Sequence, residues 1–155
     1  MKAEHGEMAL QMDVLMPIML DRLQNGQTIR FSPNGKSMLP MLRQGRDSVE
    51  LSPISGKLRK YDLPLYRRRD GKYILHRIVQ AGETYVCMGD NQFYPEPGVR
   101  QDQLIAVVTA FYRDGKRYTV YGWFYRAYCV LWHYTRPLRR FWKRCISWID
   151  RRAAG

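Results

Sequence analysis

Ser37 stands in Gly35-Lys36-Ser37-Met38-Leu39-Pro40, and His76 in Tyr73-Ile74-Leu75-His76-Arg77-Ile78-Val79. A serine hydroxyl is a weak nucleophile until a neighbouring base takes its proton. An imidazole, with its ordinary pKa near neutrality, suits that task. An acidic loop, Met88-Gly89-Asp90-Asn91, follows. A carboxylate improves such a pair by fixing the imidazole tautomer and stabilising the imidazolium. Together these types point to acyl transfer through a serine. Taken singly they say less: Ser37 also reads as a turn serine bonding its own backbone, and His76 as a satisfied core histidine.

The order of the segments adds to that reading. After the Gly35–Pro40 box comes Gly45-Arg46-Asp47-Ser48-Val49-Glu50-Leu51, then Asp62-Leu63-Pro64-Leu65-Tyr66, then His76-Arg77-Ile78, then Gly89-Asp90-Asn91. This series resembles the type I signal peptidase family, which shares its catalytic fold with the self-cleaving repressor proteases. The family boxes are Gly-x-Ser-Met-x-Pro, Gly-Asp-x-Val, Asp-Ile-Val-x-Tyr, a base box and Gly-Asp-Asn. Asp47 comes one place late in the second. The bacterial type has Lys-Arg-Val in the base box; the endoplasmic-reticulum type has His-Arg-Ile or His-Arg-Val, as here. The resemblance spans roughly residues 28–112.

It implies Ser37 as nucleophile, His76 as general base, and neither metal nor cofactor. In the endoplasmic-reticulum type, the catalytic aspartate lies a few residues beyond Gly-Asp-Asn. The same count here reaches Glu96, in Tyr94-Pro95-Glu96-Pro97. Asp90 is the alternative acid and Asp102 a more distant third. The Ser37 N–H is one oxyanion donor. Many bacterial relatives add a hydroxyl two residues earlier, where this chain has Gly35, so the second donor must come from elsewhere.

The elements that would position these residues are mostly short strands. Thr28–Phe31, Ser48–Leu51, Leu63–Arg67, Tyr73–Val79, Thr84–Met88, Leu104–Tyr112 and Arg117–Tyr121 read as strands. Asp70-Gly71 and Asp114-Gly115 mark hairpins. This spacing predicts an antiparallel, barrel-like, mainly β domain. In Tyr73–Val79, alternation puts Ile74, His76 and Ile78 on one face and Arg77 on the other, where it reads as structural. Met8 to Leu23 reads as a helix closed by Asn25-Gly26, with Pro17 at a kink or in the first turn. The organisation read from the chain is therefore an N-terminal helix (1–27), a signal-peptidase-like β domain (28–120) and C-terminal aromatic-basic helices (121–155).

The 155 residues carry a formal net charge of +12. Its distribution decides what it means. From Arg113 onward there are 11 Lys or Arg against 2 Asp or Glu, a net of +9. The catalytic-looking part is an ordinary mixed surface. Eleven of the 20 aromatic residues lie between Tyr118 and Trp148. Leu138, Phe141, Trp142, Cys145 and Ile149 fall at helical spacing, with Arg139, Arg140, Lys143 and Arg144 between them and Pro137 suiting the first turn. Three readings follow: a helix packed on the domain, a membrane-interface helix attracted to anionic lipid, or nucleic-acid binding. The membrane reading leads. No recognition-helix or RNA-binding signature supports the third, and nucleic acid is not the expected partner.

Cys87, Cys129 and Cys145 are far apart, odd in number and without metal-ligand spacing, so free thiols in a reducing compartment are expected. Neither a secretory signal nor an apolar run of about 20 residues is legible. The expected location is the cytoplasm, peripheral on the membrane. The expected function is a serine endopeptidase acting on a leader or precursor peptide. Its rival is a non-catalytic peptide-binding or regulatory module on the same fold. A DNA-linked regulator is disfavoured: the repressor proteases use lysine as base, and nothing before Thr28 accommodates a helix-turn-helix domain.

Overall fold

The computed structural model describes residues 14–153, and within Lys143 and 146–153 only the backbone. Residues 8–13 of the expected first helix lie outside that range, as does the side chain of Ile149 in the C-terminal stripe. The fold is mainly β, with helices at both ends. A helix, α1, runs over 14–24 and is closed by Asn25 and Gly26, whose N–H groups reach the carbonyls of Asp21 and Leu23.

The strands in chain order are β1 (Ile29–Phe31), β2 (Ser48–Ser52), β3 (Pro64–Arg67), β4 (Tyr73–Leu75), β5 (Arg77–Ala81), β6 (Tyr85–Met88), β7 (Glu96–Val99), β8 (Leu104–Arg113) and β9 (Lys116–Thr119). All pairings are antiparallel. They form a six-stranded sheet, β1-β2-β8-β3-β4 with β9 on β8, and a three-stranded sheet, β5-β6-β7. Both expected hairpins are present. Asp114 and Gly115 both have positive φ, 49° and 78°, the backbone that a tight turn matching strand twist requires.

The expected barrel-like domain is two antiparallel sheets that do not close into a barrel. The expected strand Tyr73–Val79 is two strands, broken at His76. Before the break the chain pairs with β3 in the large sheet; after it, with β6 in the small one. A strand that changes sheets makes a corner rather than a continuous wall. His76 occupies that corner. β7 is not among the expected strands; its segment carries Pro95 and Pro97. It is an edge strand, where a proline costs no ladder hydrogen bond on its outer side.

The core follows the two sheets. One cluster joins Met16, Met19 and Leu23 of α1 to Val49, Leu51, Leu65 and Val108 of the large sheet, and takes in Met38, Met41 and Leu42 from the turn after Ser37. The other joins Tyr66 and Ile78 to Tyr85, Cys87 and Val99. Each fully buried aliphatic side chain contributes about 1.5–3 kcal/mol. The turn that carries Ser37 is therefore anchored by its own apolar residues.

Two helices complete the chain, α2 (Trp123–Tyr134) and α3 (Arg136–Ala153). They are not equivalent. Tyr125 and Tyr128 of α2 pack on the first core cluster, and Cys129 is buried. Leu138, Phe141 and Trp142 of α3 are about two-thirds exposed. No helix among the described residues is long and apolar enough to cross a membrane. Cys87, Cys129 and Cys145 are all free thiols.

Candidate active site

The turn holding Ser37 is fixed from two sides. On one, Arg113 donates to the carbonyls of Pro40 and Met41 while its guanidinium pairs with Asp47 at 3.0 Å. Asp47 also accepts the Arg43 backbone N–H and the Arg43 guanidinium. Burial alone would raise the Asp47 pKa, but the hydrogen bonds from Arg43 and Arg113 outweigh it and hold the carboxyl at about 2.

On the other side lies the Gly-Asp-Asn segment. The Asn91 N–H donates to the Ser37 carbonyl at 2.8 Å, and its side-chain amide donates to the Lys36 carbonyl at 3.1 Å. Gly89 approaches so closely that a Cβ there would sit 2.6 Å from the Ser37 oxygen and 3.1 Å from its Cβ. No side chain fits at position 89 unless the Ser37 backbone moves. The first and last boxes of the sequence, joined by Asn91 and Lys36 across 55 positions, thus form one piece of structure.

Ser37 and His76 line the same cavity of about 100 Å³, together with Asn34, Gly35, Met38, Leu42 and residues 73–75. The structure records no direct hydrogen bond between their side chains, so their proximity is that of a shared cavity. His76 is 4% exposed, and its Nδ1 is buried with no hydrogen-bond partner. The Tyr66 ring meets the imidazole edge to face, with centroids 6.5 Å apart.

Burial pushes the His76 pKa down to about 4; the Glu96 carboxylate, and more weakly Asp90, pull it back up, while Arg68 adds to the fall. The imidazole is therefore neutral at physiological pH, the form a general base requires. Activity carried by this base should be flat above about pH 6 and fall as pH drops through about 4, the value set by burial. The folded pKa lies below the ordinary 6.5, so between 6.5 and about 4 the unfolded chain takes a proton that the folded one refuses. Stability should decline as pH falls through that window. Urea midpoints at stepped pH values check this: His76→Gln should remove that part of the decline, and a His76→Gln profile identical to wild type would count against the buried neutral imidazole.

The expected carboxylate–imidazole hydrogen bond is not made. Glu96 accepts the Tyr66 hydroxyl at 2.8 Å and a bidentate pair from Arg68 at 2.7 and 2.6 Å. Asp90 is fully buried and accepts a bidentate pair from Arg77 at 2.8 and 2.7 Å. A carboxylate engaged by a guanidinium fork has its lone pairs committed there. Asp102 is exposed and paired with Arg100. Glu96 and Asp90 both act on His76 through charge alone, with Glu96 the stronger. Tyr66 connects the two groups physically: its ring meets His76 and its hydroxyl meets Glu96.

Arg77 is structural, as alternation implied, and better served than expected. Besides Asp90, it donates to the Tyr61 carbonyl, the Tyr125 hydroxyl, Cys129 Sγ and Met41 Sδ. Two of these partners come from α2. The Tyr128 hydroxyl and Trp132 Nε1 of α2 reach Asp90 as well, and so does Arg139 of α3, on the Asp90 carbonyl. Sequence reasoning missed this dependence; the one signal available was the density of hydrogen-bonding aromatics from 121 to 134. No family model, curated protein or solved structure matches this chain.

Proposed function

We propose that the chain is a serine endopeptidase related to signal peptidases. The observation that carries the reading is that Ser37 and His76, distant in sequence, line one cavity while the Gly89–Asn91 segment grips the Ser37 backbone. In this reading a peptide carbonyl enters the cavity and Ser37 Oγ attacks it. His76 takes the hydroxyl proton and returns it to the leaving amine, leaving an acyl-enzyme that water then resolves. The Ser37 N–H is one oxyanion donor. A cavity this small favours a small side chain beside the scissile bond.

A serine-reactive activity probe tests the reading. Wild-type protein should be labelled, and both Ser37→Ala and His76→Gln should lose the label. Labelling that survives His76→Gln removes the base from the mechanism. The second reading is a peptide-binding module without catalysis, and the unpartnered His76 Nδ1 with both carboxylates engaged elsewhere favours it. An unlabelled wild-type protein that still binds peptide would establish that one.

The substrate we propose is a leader or precursor peptide at the cytoplasmic face of a membrane, with α3 lying on the anionic surface. Support comes from the exposure of Leu138, Phe141 and Trp142 on the same helix as Arg140 and Arg144. Each basic side chain near such a surface contributes about 1 kcal/mol, screened by salt. Binding to phosphatidylserine-containing vesicles should weaken steeply with salt and drop several-fold in Phe141→Ser with Arg140→Ala. Co-sedimentation checks it, and salt-independent binding would argue for insertion instead. Point substitutions serve here because removing the chain from Tyr121 onward would also take Tyr125 and Cys129 from Arg77.

A further inference from the structure

One peptide unit, between Asp90 and Asn91, ties the C-terminal helices to Ser37. Its carbonyl accepts two hydrogen bonds from the tail, from Trp132 Nε1 at 2.8 Å and from Arg139 Nη1 at 3.2 Å. Its N–H, on the opposite edge of the same plane, donates to the Ser37 carbonyl at 2.8 Å. The Asn91 side chain then donates to the Lys36 carbonyl at 3.1 Å. That carbonyl shares a peptide plane with the Ser37 N–H, so fixing one aims the other. Asn91 therefore sets both peptide planes that flank Ser37.

We propose that Trp132 and Arg139 are positioning residues, which act through Asn91 to aim the Ser37 N–H at the oxygen of the carbonyl under attack. The attack itself rests on the proteolytic reading; the route from the tail to Ser37 rests on geometry alone.

Three observations carry it. The first is that the two donors brace each other. The Arg139 guanidinium lies 3.6 Å from the centre of the Trp132 ring and also donates to the Trp132 carbonyl. Tyr128 stacks on the same indole at 5.9 Å, and its hydroxyl reaches the Asp90 carboxylate. Side chains locked by packing and by each other hold their polar atoms in one place, which precise support of a site requires. The second is polarisation. A carbonyl that takes two donors, one of them charged, makes the N–H on the far edge of its peptide a stronger donor. The third is the tightness of the contact. Gly89, one residue before Asp90, lies so near that a Cβ there would meet the Ser37 oxygen at 2.6 Å. A shift of the 90–91 peptide is therefore felt at Ser37 rather than absorbed. The aromatic and basic residues of the tail serve the candidate site directly, whatever surface α3 meets.

The test uses the full chain, with an alanine-rich fluorogenic peptide for rates and amide NMR spectra for the backbone. Trp132→Phe keeps a ring and removes the N–H. Arg139→Met keeps the stem and removes the guanidinium. Each should lower kcat about tenfold per titrated active site and leave KM within about twofold. The two together should approach the loss of about 10²-fold that follows removal of a whole oxyanion donor. The Asn91 and Ser37 amide resonances should move in both single variants. Leu131→Ala, an exposed change beside Trp132, should move neither and keep the wild-type rate. A purely structural role would lower the urea midpoint and the titratable fraction while kcat per site stayed the same.

Wild-type kcat per site in the double variant overturns the proposal. So do unmoved Asn91 and Ser37 amides, whether or not the protein cuts peptides, because any loss of rate then travels another way. If wild-type protein cuts no peptide and takes no serine probe, yet both amides move in the two variants and not in Leu131→Ala, the proteolytic reading fails and the coupling of the tail to Ser37 stands.

Discussion

Ser37→Ala should lower turnover of a cleaved peptide by on the order of 10³-fold or more, and His76→Gln should lower it nearly as far. The two losses should not add. Once the base is gone the hydroxyl is no better a nucleophile than any other serine, so removing it as well costs little further. Neither change should harm folding much, since Ser37 is only half-buried and its backbone, not its side chain, carries the contacts with Asn91 and Gly89. Glu96→Gln belongs in the same series and should be milder. Its charge favours the imidazolium that forms during attack, but it makes no hydrogen bond to the ring, and Arg68 and Tyr66 hold it. Steady-state rates of the three single variants and the Ser37→Ala/His76→Gln double decide the matter. Additive losses, or a fully active His76→Gln, would sink the Ser37–His76 pair.

Ser37 and His76, which line one cavity, stand out in the sequence because their types are uncommon in such settings. A serine flanked by glycine and proline and a histidine in an apolar run stand out in any strand-and-turn sequence. The hairpins were legible for the same reason: Asp-Gly pairs demand a backbone that few other residues adopt, and both turns formed where they stood. What was not legible is how the pieces meet. Tyr73–Val79 has the alternation of one continuous strand, and nothing in it says that His76 is where the chain leaves one sheet for another. That choice is made by the partners, Tyr66 and Leu65 on one side and Met88 and Cys87 on the other.

The acids were misread for a related reason. Glu96 and Asp90 were both placed by counting from a box, and counting cannot see a competing cation. Arg68 and Arg77 reach them through the fold, at 28 and 13 residues' separation. The aromatic tail was read by periodicity alone, which reports the face of a helix and not its depth. α3 kept its exposed stripe; α2 turned Tyr125, Tyr128 and Cys129 inward, onto a charge that periodicity had no means of locating.

That buried charge gives the other large expected effect. Arg77 is 2% exposed and Asp90 is fully buried, and they are joined by two parallel hydrogen bonds. Removing one partner of such a pair strands the other's charge in a low-dielectric interior, at a cost of about 3–5 kcal/mol. Arg77→Met and Asp90→Asn should each lower the urea midpoint by a corresponding amount. Changing both to apolar residues of similar size should cost much less than the two separate losses combined, because no charge is then left unpaired. The consequence reaches the chemistry as well. Arg77 follows His76 directly, and Asp90 precedes the Asn91 whose N–H holds the Ser37 carbonyl. A variant that stays folded with the pair broken should therefore lose activity beyond its loss of folded protein, measured as kcat per active site titrated. Tyr125→Phe, which takes one neutral acceptor from Arg77, should do the same on a smaller scale, about 1 kcal/mol. If Asp90→Asn unfolds at the wild-type urea concentration, the pair does not hold the corner between the sheets, and the grip of α2 on the candidate site must come from packing alone.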